Sequence, residues 1–231
     1  RWRRGWDFGF GLGSLVASLL FGVAVGNIIR GIPINDEGYF AGTFLGLLNP
    51  YSLLVGILVV VMFVMHGAAW LSPKTDGAIQ ARMRAWAIGG WAAFLPLYLL
   101  STAYTYLIRP ELFVGVHAQP AFLALFLLLL VGAIGFPVGI RTGKDSMAFA
   151  ASTALVISAS CLGGLSLFPV LVPSTLDTAN SLTVYNSSSS PLTLTVMFWI
   201  VAGTMPFILS YTAVIHWIFR GKVDIHEETS Y

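Results

Sequence analysis

Six long runs of apolar residues, separated by short polar segments, limit what this chain can fold into. They cover residues 8–29, 50–71, 86–108, 120–140, 147–170 and 192–219. A helix needs about 20 apolar residues to cross the hydrocarbon core of a bilayer. Because that core holds no water, a spanning segment must satisfy its own peptide groups, as a helix does. The runs lack the strict alternation of a membrane β-strand, so the sequence predicts six transmembrane helices.

The composition excludes a soluble protein. Hydrophobic residues make up 57% of the chain and charged residues only 10%, whereas a soluble domain carries about 25% charged residues. We therefore expect an all-α, polytopic integral membrane protein in which residues 1–231 form a single transmembrane domain. The lone Cys161 rules out an internal disulfide framework. The net charge of +2 says little about partners, and we expect no nucleic-acid partner.

The distribution of Lys and Arg predicts the orientation. If the first residue lies in the cytoplasm, the exterior segments hold only Arg30 and Arg109. The cytoplasmic segments then hold the other ten: Arg1, Arg3, Arg4, Lys74, Arg82, Arg84, Arg141, Lys144, Arg220 and Lys222. Cytoplasmic loops of membrane proteins are enriched in these residues. Both ends of the chain are therefore predicted to be cytoplasmic.

Several local patterns predict details of the helices. Ser190 before Pro191 is typical of an N-cap and first helical residue, and Pro206 should kink the last helix. Small residues spaced by four, as in Gly22 with Gly26 and Gly135 with Gly139, favour close helix packing. The fifth run is the richest in Ser and Ala, and we expect it to be the most enclosed.

The spans offer few groups that could do chemistry. The acidic residues fall in loops, tails or helix margins, whereas ion-coupled carriers usually keep an acid or base within the membrane. His66, near one end of the second run, could be a haem axial ligand or a neutral His bonded to a neighbouring helix, and we favour the second. The intramembrane polar candidates are His66, Asn27, Tyr104, Tyr211 and His216. We predict no catalytic residue and no metal site in this chain.

The last quarter of the chain, residues 168–223, carries a family resemblance. Its apolar run ends in Phe-Pro, a nearly uncharged loop follows, and a long apolar run closes on Arg-Gly-Lys. The matching pieces are Phe168-Pro169, Val172-Pro173-Ser174, Leu182-Thr183-Val184, Ser187 to Ser190, Thr193-Leu194, Pro206, Tyr211-Thr212 and Arg220-Gly221-Lys222-Val223. In this order they resemble subunit II of the cytochrome bd quinol oxidases.

Further pieces extend the resemblance over nearly the whole chain. They are Trp2-Arg3-Arg4, Trp6-Asp7, Phe21-Gly22-Val23, Gly26-Asn27, Leu48-Asn49-Pro50, Gly67-Ala68, Lys74-Thr75 and Arg82. Members of the family carry about three more helices ahead of the position of Arg1. The resemblance therefore implies either that this sequence is a fragment without those helices or that they form a separate piece.

The resemblance implies a function in aerobic respiration. The partner would be subunit I, which bears haem b, haem d and the quinol site. The complex would oxidise quinol and reduce dioxygen to water in a bacterial or archaeal cytoplasmic membrane. This chain would ligate no haem itself and would support its partner, with room for a bound quinone or lipid.

Two alternatives remain open at this point. One is a membrane solute transporter, suggested by the helix count and apolar content, although no inverted repeat is evident. The other is a structural subunit of a different membrane complex. Haem d absorbance, quinol-dependent oxygen uptake and solute uptake would distinguish the three.

Overall fold

The computed structural model describes residues 2–222 and contains six long helices. They are α1 (Trp2–Arg30), α2 (Pro50–Leu71), α3 (Gly77–Ile108), α4 (Pro120–Arg141), α5 (Asp145–Leu167) and α6 (Pro191–Ile218). All six are long and apolar enough to cross a membrane, which confirms the predicted helix count. The largest difference is in α3, which begins at Gly77 rather than at residue 86. Its first turns carry Arg82 and Arg84, so they are helical without belonging to the apolar run.

The connection between α5 and α6 contains a pair of strands, which corrects the all-α expectation. Strands β1 (Val170–Val172) and β2 (Leu182–Thr183) pair antiparallel, with Val170 opposite Thr183. Such short strands leave no trace in a search for long apolar runs. Within residues 2–222 the fold is therefore a helical bundle with one small hairpin in a connection.

Glycines allow three pairs of helices to approach closely. A Cβ atom built on Gly22 of α1 would lie 2.7 Å from the Cα atom of Gly56 in α2. A Cβ on Gly139 of α4 would lie 2.7 Å from the backbone N of Ala148 in α5, and Gly90 of α3 faces Met65 of α2 at 2.9 Å. These contacts confirm the predicted packing at Gly22 and Gly139.

A core of fully buried side chains joins α2, α3, α4 and α5. Its largest members are Met65, Phe94, Phe136 and Leu155, each at most 1% exposed. Of the most apolar 18-residue window of each helix, 44% is buried in α2 but only 22% in α5. The expectation that the fifth span is the most enclosed is therefore wrong. Helix α2 contacts α1, α3 and α5, whereas the extensive packing of α5 is with α4 alone.

Helix α6 lies apart from the packed helices. Its side chains are exposed along its whole length, except that Ile215 is half-buried. Two contacts hold its end to the α2–α3 connection: Lys74 Nζ donates to the Phe219 carbonyl at 2.8 Å, and Lys222 pairs with Asp76. At the other end the predicted cap is confirmed, because the Ser190 hydroxyl accepts from the Thr193 backbone N–H.

Candidate functional site

The two ends of the bundle differ in charge. The "basic end" comprises the start of α1, the α2–α3 connection with the first turns of α3, the last turn of α4 with the α4–α5 connection, and the segment after α6. It carries nine of the described Lys and Arg residues. The "loop end" carries the two long connections, residues 31–49 and 168–190, together with Arg30 and Arg109. Polar networks occur at both ends, and they are the candidate functional groups.

A buried carboxylate organises the basic end. Asp145, at the start of α5, is 8% exposed. Its Oδ1 accepts from the Ser72 hydroxyl and from Arg84 Nε, both at 2.8 Å. Its Oδ2 accepts from Arg84 Nη2 at 2.6 Å and from Gln80 Nε2 at 3.2 Å. One carboxylate thus joins the connection after α2, the first turns of α3 and the first turn of α5.

The Asp145 cluster has the character of a structural joint. The carboxylate has four donors, and a forked Arg–carboxylate pair is among the stronger and more directional contacts in proteins. Acidic side chains also suit the first turn of a helix, where backbone N–H groups have no intrahelical partner. The sequence places the acidic residues in loops, tails or helix margins but does not show that this one is buried and paired.

His66 contacts α5 from within α2. Its Nδ1 lies 2.9 Å from the Ser152 hydroxyl, and its ring stacks on Phe149 with the ring centres 5.2 Å apart. The Ser152 hydroxyl also donates to the Phe149 carbonyl at 2.7 Å. This geometry agrees with the interpretation of His66 as a packing residue bonded to a neighbouring helix.

Asn27 lies in a network at the loop end. It is 5% exposed, and its Nδ2 donates to the Val23 carbonyl at 2.9 Å and to the Leu47 carbonyl at 2.8 Å. Its Oδ1 accepts from Asn49 Nδ2 at 3.0 Å, while Asn49 Oδ1 caps α2 by accepting from the Ser52 backbone N–H. The Asn27 side chain therefore has partners for both of its polar atoms and anchors the first connection to the start of α2.

Tyr104 belongs to a second group beside the start of α2. Its ring meets Tyr51 edge to face, with the ring centres 5.3 Å apart. The Tyr51 and Thr105 hydroxyls lie 2.7 Å apart, and Thr105 also donates to the Ser101 carbonyl. The Ser101 hydroxyl is buried and has no hydrogen-bond partner within residues 2–222. Here α3 contacts the first turn of α2 through hydroxyl groups.

The last two predicted residues lie on α6, away from the others. Tyr211 is 69% exposed, and His216 Nδ1 is 2.8 Å from the Thr212 carbonyl of its own helix. The structure thus brings Asn27 and Tyr104 to the loop end but keeps His66 in the basic half. The five candidates do not form one site, and their roles remain predictions.

The two long connections contact each other at the loop end. The Ser174 hydroxyl donates to the Ile34 carbonyl at 3.1 Å, and Asn180 bonds Asp36 at 2.8 Å. Arg109, after α3, donates to the Arg30 carbonyl at 2.7 Å and pairs with Glu111. Partial burial raises the pKa of the Glu111 carboxyl. Hydrogen bonds from its own backbone and from Arg109 lower that pKa by more than burial raises it, so the pKa lies below its usual value.

One hydrogen bond between helices compensates for a proline. Pro137 has no N–H, so the Ala133 carbonyl one turn earlier in α4 loses its usual partner. Trp91 of α3 donates its indole N–H to that carbonyl at 3.0 Å. The sequence shows both residues but does not show that they meet.

The described residues do not fit a haem. A haem iron needs an axial side chain such as His, Met or Cys beside room for the ring system. His66 packs on Phe149 and lines neither groove between α2 and α3, and His216 lies on the exposed helix. The two grooves, of about 290 and 460 Å³, have no His or Cys in their walls, and Met83 is their one Met. Residues 2–222 also contain no cluster of three metal-binding side chains.

Comparisons with known proteins agree on one family. The sequence profile of "Cytochrome bd terminal oxidase subunit II" matches residues 1–219. The chain is 31% identical over 262 residues to the cytochrome bd-I ubiquinol oxidase subunit 2 of Escherichia coli K12, covering 99% of this chain and 69% of that protein. It is 28% identical over 235 residues to the cytochrome bd ubiquinol oxidase subunit 2 of Bacillus subtilis 168, covering 100% of this chain and 68% of that protein.

A solved structure supports the fold. The bd oxidase of Geobacillus thermodenitrificans contains a chain that superposes with a TM-score of 0.73 at 18% sequence identity. The match covers 95% of this chain and 66% of the other. The chain therefore spans about two thirds of the length of the relatives that it matches.

Proposed function

Because the chain belongs to the cytochrome bd terminal oxidase subunit II family, we propose that it is the haem-free supporting subunit of a quinol oxidase complex. The partner is subunit I, which ligates haem b and haem d. The complex passes electrons from quinol to dioxygen and forms water in the aerobic respiratory chain. This chain contributes helix packing and enclosure to that complex.

The proposal rests on the hydrogen bonds that polar side chains of the bundle make with neighbouring segments. Asn27, Tyr51 and Asp145 bond to neighbouring helices or connections, and His66 bonds to α5 through its Nδ1. These atoms are therefore used to join segments of this chain. The pattern favours a scaffold whose polar side chains align its helices.

The exposed surface supports the presence of a partner subunit. Helix α6 and the first half of α1 expose apolar side chains, among them Trp6, Phe8, Trp199 and Phe207, each more than 65% exposed. In a membrane such surfaces face either lipid or other helices, because both are apolar. Contact with helices outside this chain accounts for a helix as long as α6 packing so little on it.

We also propose that the basic end faces the cytoplasm, with both ends of this chain on that side. The support is the charge difference between the two ends of the bundle. The test is a pair of reporter fusions, one after residue 222 and one within residues 171–190. A reporter that is active only in the cytoplasm should work at the first position and fail at the second.

The function is tested on membranes that contain this chain with its partner. We expect haem d absorbance and quinol-dependent oxygen uptake, and we expect both to fall when this chain is deleted. Normal spectra and turnover without the chain would contradict a supporting role. Solute uptake by vesicles that contain this chain alone would instead favour a transporter.

A further inference from the structure

An apolar groove runs between α2 and α3 from the basic end towards the middle of the bundle. Its outer part is lined by Gly67, Leu71 and Met83, and its inner part by Val60 and Gly89. Both parts share Val64 and Trp86, so they are continuous. No residue of α4 or α5 lines either part. We call this continuous groove the "α2–α3 groove".

Small residues keep the groove open although the helices touch. A Cβ atom built on Gly67 or Gly89 would meet no atom within 4 Å. On the neighbouring position Gly90, a Cβ would lie 2.9 Å from Met65 Cβ, so the two helices are in close contact there. The walls of the groove are apolar, so it suits a single hydrocarbon chain.

An exposed cation lies on the face of α3 that carries the groove residue Trp86. Arg82 lies four residues before Trp86 on α3, so the two side chains share a face of the helix. Arg82 is exposed and, among residues 2–222, has no carboxylate partner, whereas Arg84 is held by Asp145. Trp86 is 58% exposed, and Trp side chains favour the headgroup region of a membrane.

We propose that the α2–α3 groove binds an anionic phospholipid. One acyl chain lies against Val60, Val64 and Gly89, and the phosphate is held by Arg82 beside Trp86. The apolar walls select hydrocarbon, and the unpaired guanidinium selects a negatively charged headgroup. The site is separate from haem and quinol chemistry, so its test does not depend on oxidase activity.

The test measures lipid retained by the purified, detergent-washed complex after incubation with spin-labelled phosphatidylglycerol. Gly89→Leu places a side chain in the groove, and Arg82→Gln removes the headgroup contact. We expect Gly89→Leu to remove the part of the immobilised phosphatidylglycerol signal that exceeds the phosphatidylcholine signal. We expect Arg82→Gln to weaken phosphatidylglycerol binding about fivefold, the effect of one cation near a membrane surface. Phosphatidylcholine binding should not change in Arg82→Gln.

Two matched variants control for general effects. Gly163→Leu adds the same side chain at another helical glycine with open space around it. Arg141→Gln removes another exposed cation of the basic end that has no ion pair among residues 2–222. Both should retain phosphatidylglycerol like the unaltered complex.

Three results would overturn the proposal. One is equal phosphatidylglycerol retention by Gly89→Leu and the unaltered complex. Another is release of a co-purified quinone by Gly89→Leu with phosphatidylglycerol unaffected, which would assign the groove to an isoprenoid. The third is cross-linking of a photoreactive residue at position 89 to protein instead of lipid. Normal oxygen uptake in every variant would leave the proposed oxidase function intact whichever of these results is obtained.

Discussion

Individual polar side chains in this bundle are used mainly to join helices. An unsatisfied polar group away from water costs several kcal/mol, so each buried side chain needs a partner. Asp145 and Asn27 each have several donors or acceptors from other segments. Ser101 is the exception among residues 2–222, because its buried hydroxyl has no partner.

Loss of Arg84 should destabilise the basic end. Arg84→Ala leaves the Asp145 carboxylate with Ser72 and Gln80 as its remaining donors. We expect a loss of about 2 kcal/mol, in the range for hydrogen bonds to charged groups. Thermal unfolding of the detergent-solubilised complex would show it as a lower midpoint temperature. Arg141→Ala is the control, and an equal loss in both variants would mean that the ion pair contributes nothing specific.

Loss of His66 should leave the haem spectra of the complex unchanged. His66→Ala removes the contact with Ser152 and the stacking on Phe149. Ser152 retains its bond to the Phe149 carbonyl, so we expect a cost of only about 1 kcal/mol. Reduced-minus-oxidised spectra of purified complex provide the measurement. Disappearance of one haem band would show that His66 is a ligand and would refute its packing role.

Pairs of helices are held together by small residues and by interhelical hydrogen bonds. Lipid tails are as apolar as helix side chains, so close contact rather than hydrophobicity drives helix association. Glycines bring α1 to α2 and α4 to α5, and Trp91 joins α3 to α4. Each of these contacts can be tested by a single substitution.

A methyl group at Gly22 should push α1 away from α2. The Cβ would lie 2.7 Å from the Gly56 Cα and 2.8 Å from the Val59 Cβ, and backbone cannot move aside cheaply. Overpacking of this kind costs about 1–3 kcal/mol. We expect Gly22→Ala to lower the thermal midpoint of the complex. Gly9→Ala in the same helix meets no atom within 4 Å, and a similar loss there would exclude the steric explanation.

The bond from Trp91 to the Ala133 carbonyl should matter only while Pro137 is present. Trp91→Phe leaves that carbonyl without a donor and should cost about 1–2 kcal/mol. Pro137→Ala restores an N–H to α4, so Trp91→Phe should cost much less in that background. Unfolding midpoints of the two single variants and the double variant complete the cycle. Additive effects would show that the two residues do not interact.

Helix α6 packs little against the other five helices, so its position in the molecule depends on contacts outside them. Only Ile215 of this helix is half-buried, and contacts from Lys74 and Lys222 hold its end. Pro206 lies within α6 and removes one backbone donor from its interior. The shape of α6 therefore bears on assembly with a partner.

Replacing Pro206 by Ala should weaken assembly more than it alters chemistry. Loss of the kink predicted at Pro206 would present a different surface to the partner subunit. We expect a lower yield of intact complex on size-exclusion chromatography, with normal oxygen uptake per haem in the complex that forms. Gly203→Ala, one turn earlier with open space around it, is the control. Full assembly with lost turnover would contradict this prediction.

Some features of the candidate site were open to sequence reasoning and others were not. The cap at Ser190 and the packing glycines Gly22 and Gly139 follow from local patterns, because a cap or a small-residue ridge involves neighbouring positions. The Asp145–Arg84 pair spans 61 residues and the His66–Ser152 contact spans 86. No spacing rule links residues so far apart.

The sequence alone determined the helix count and the membrane location, because the energy of moving apolar residues into a bilayer depends on composition along the chain. It also indicated the family, through the order of its short matching pieces. The tertiary structure decided which helices touch, that α2 rather than α5 is the most buried, and that α6 lies apart. It also decided that the polar candidates lie in separate networks. These outcomes depend on how side chains from distant segments fit together, and one-dimensional hydropathy does not contain that information.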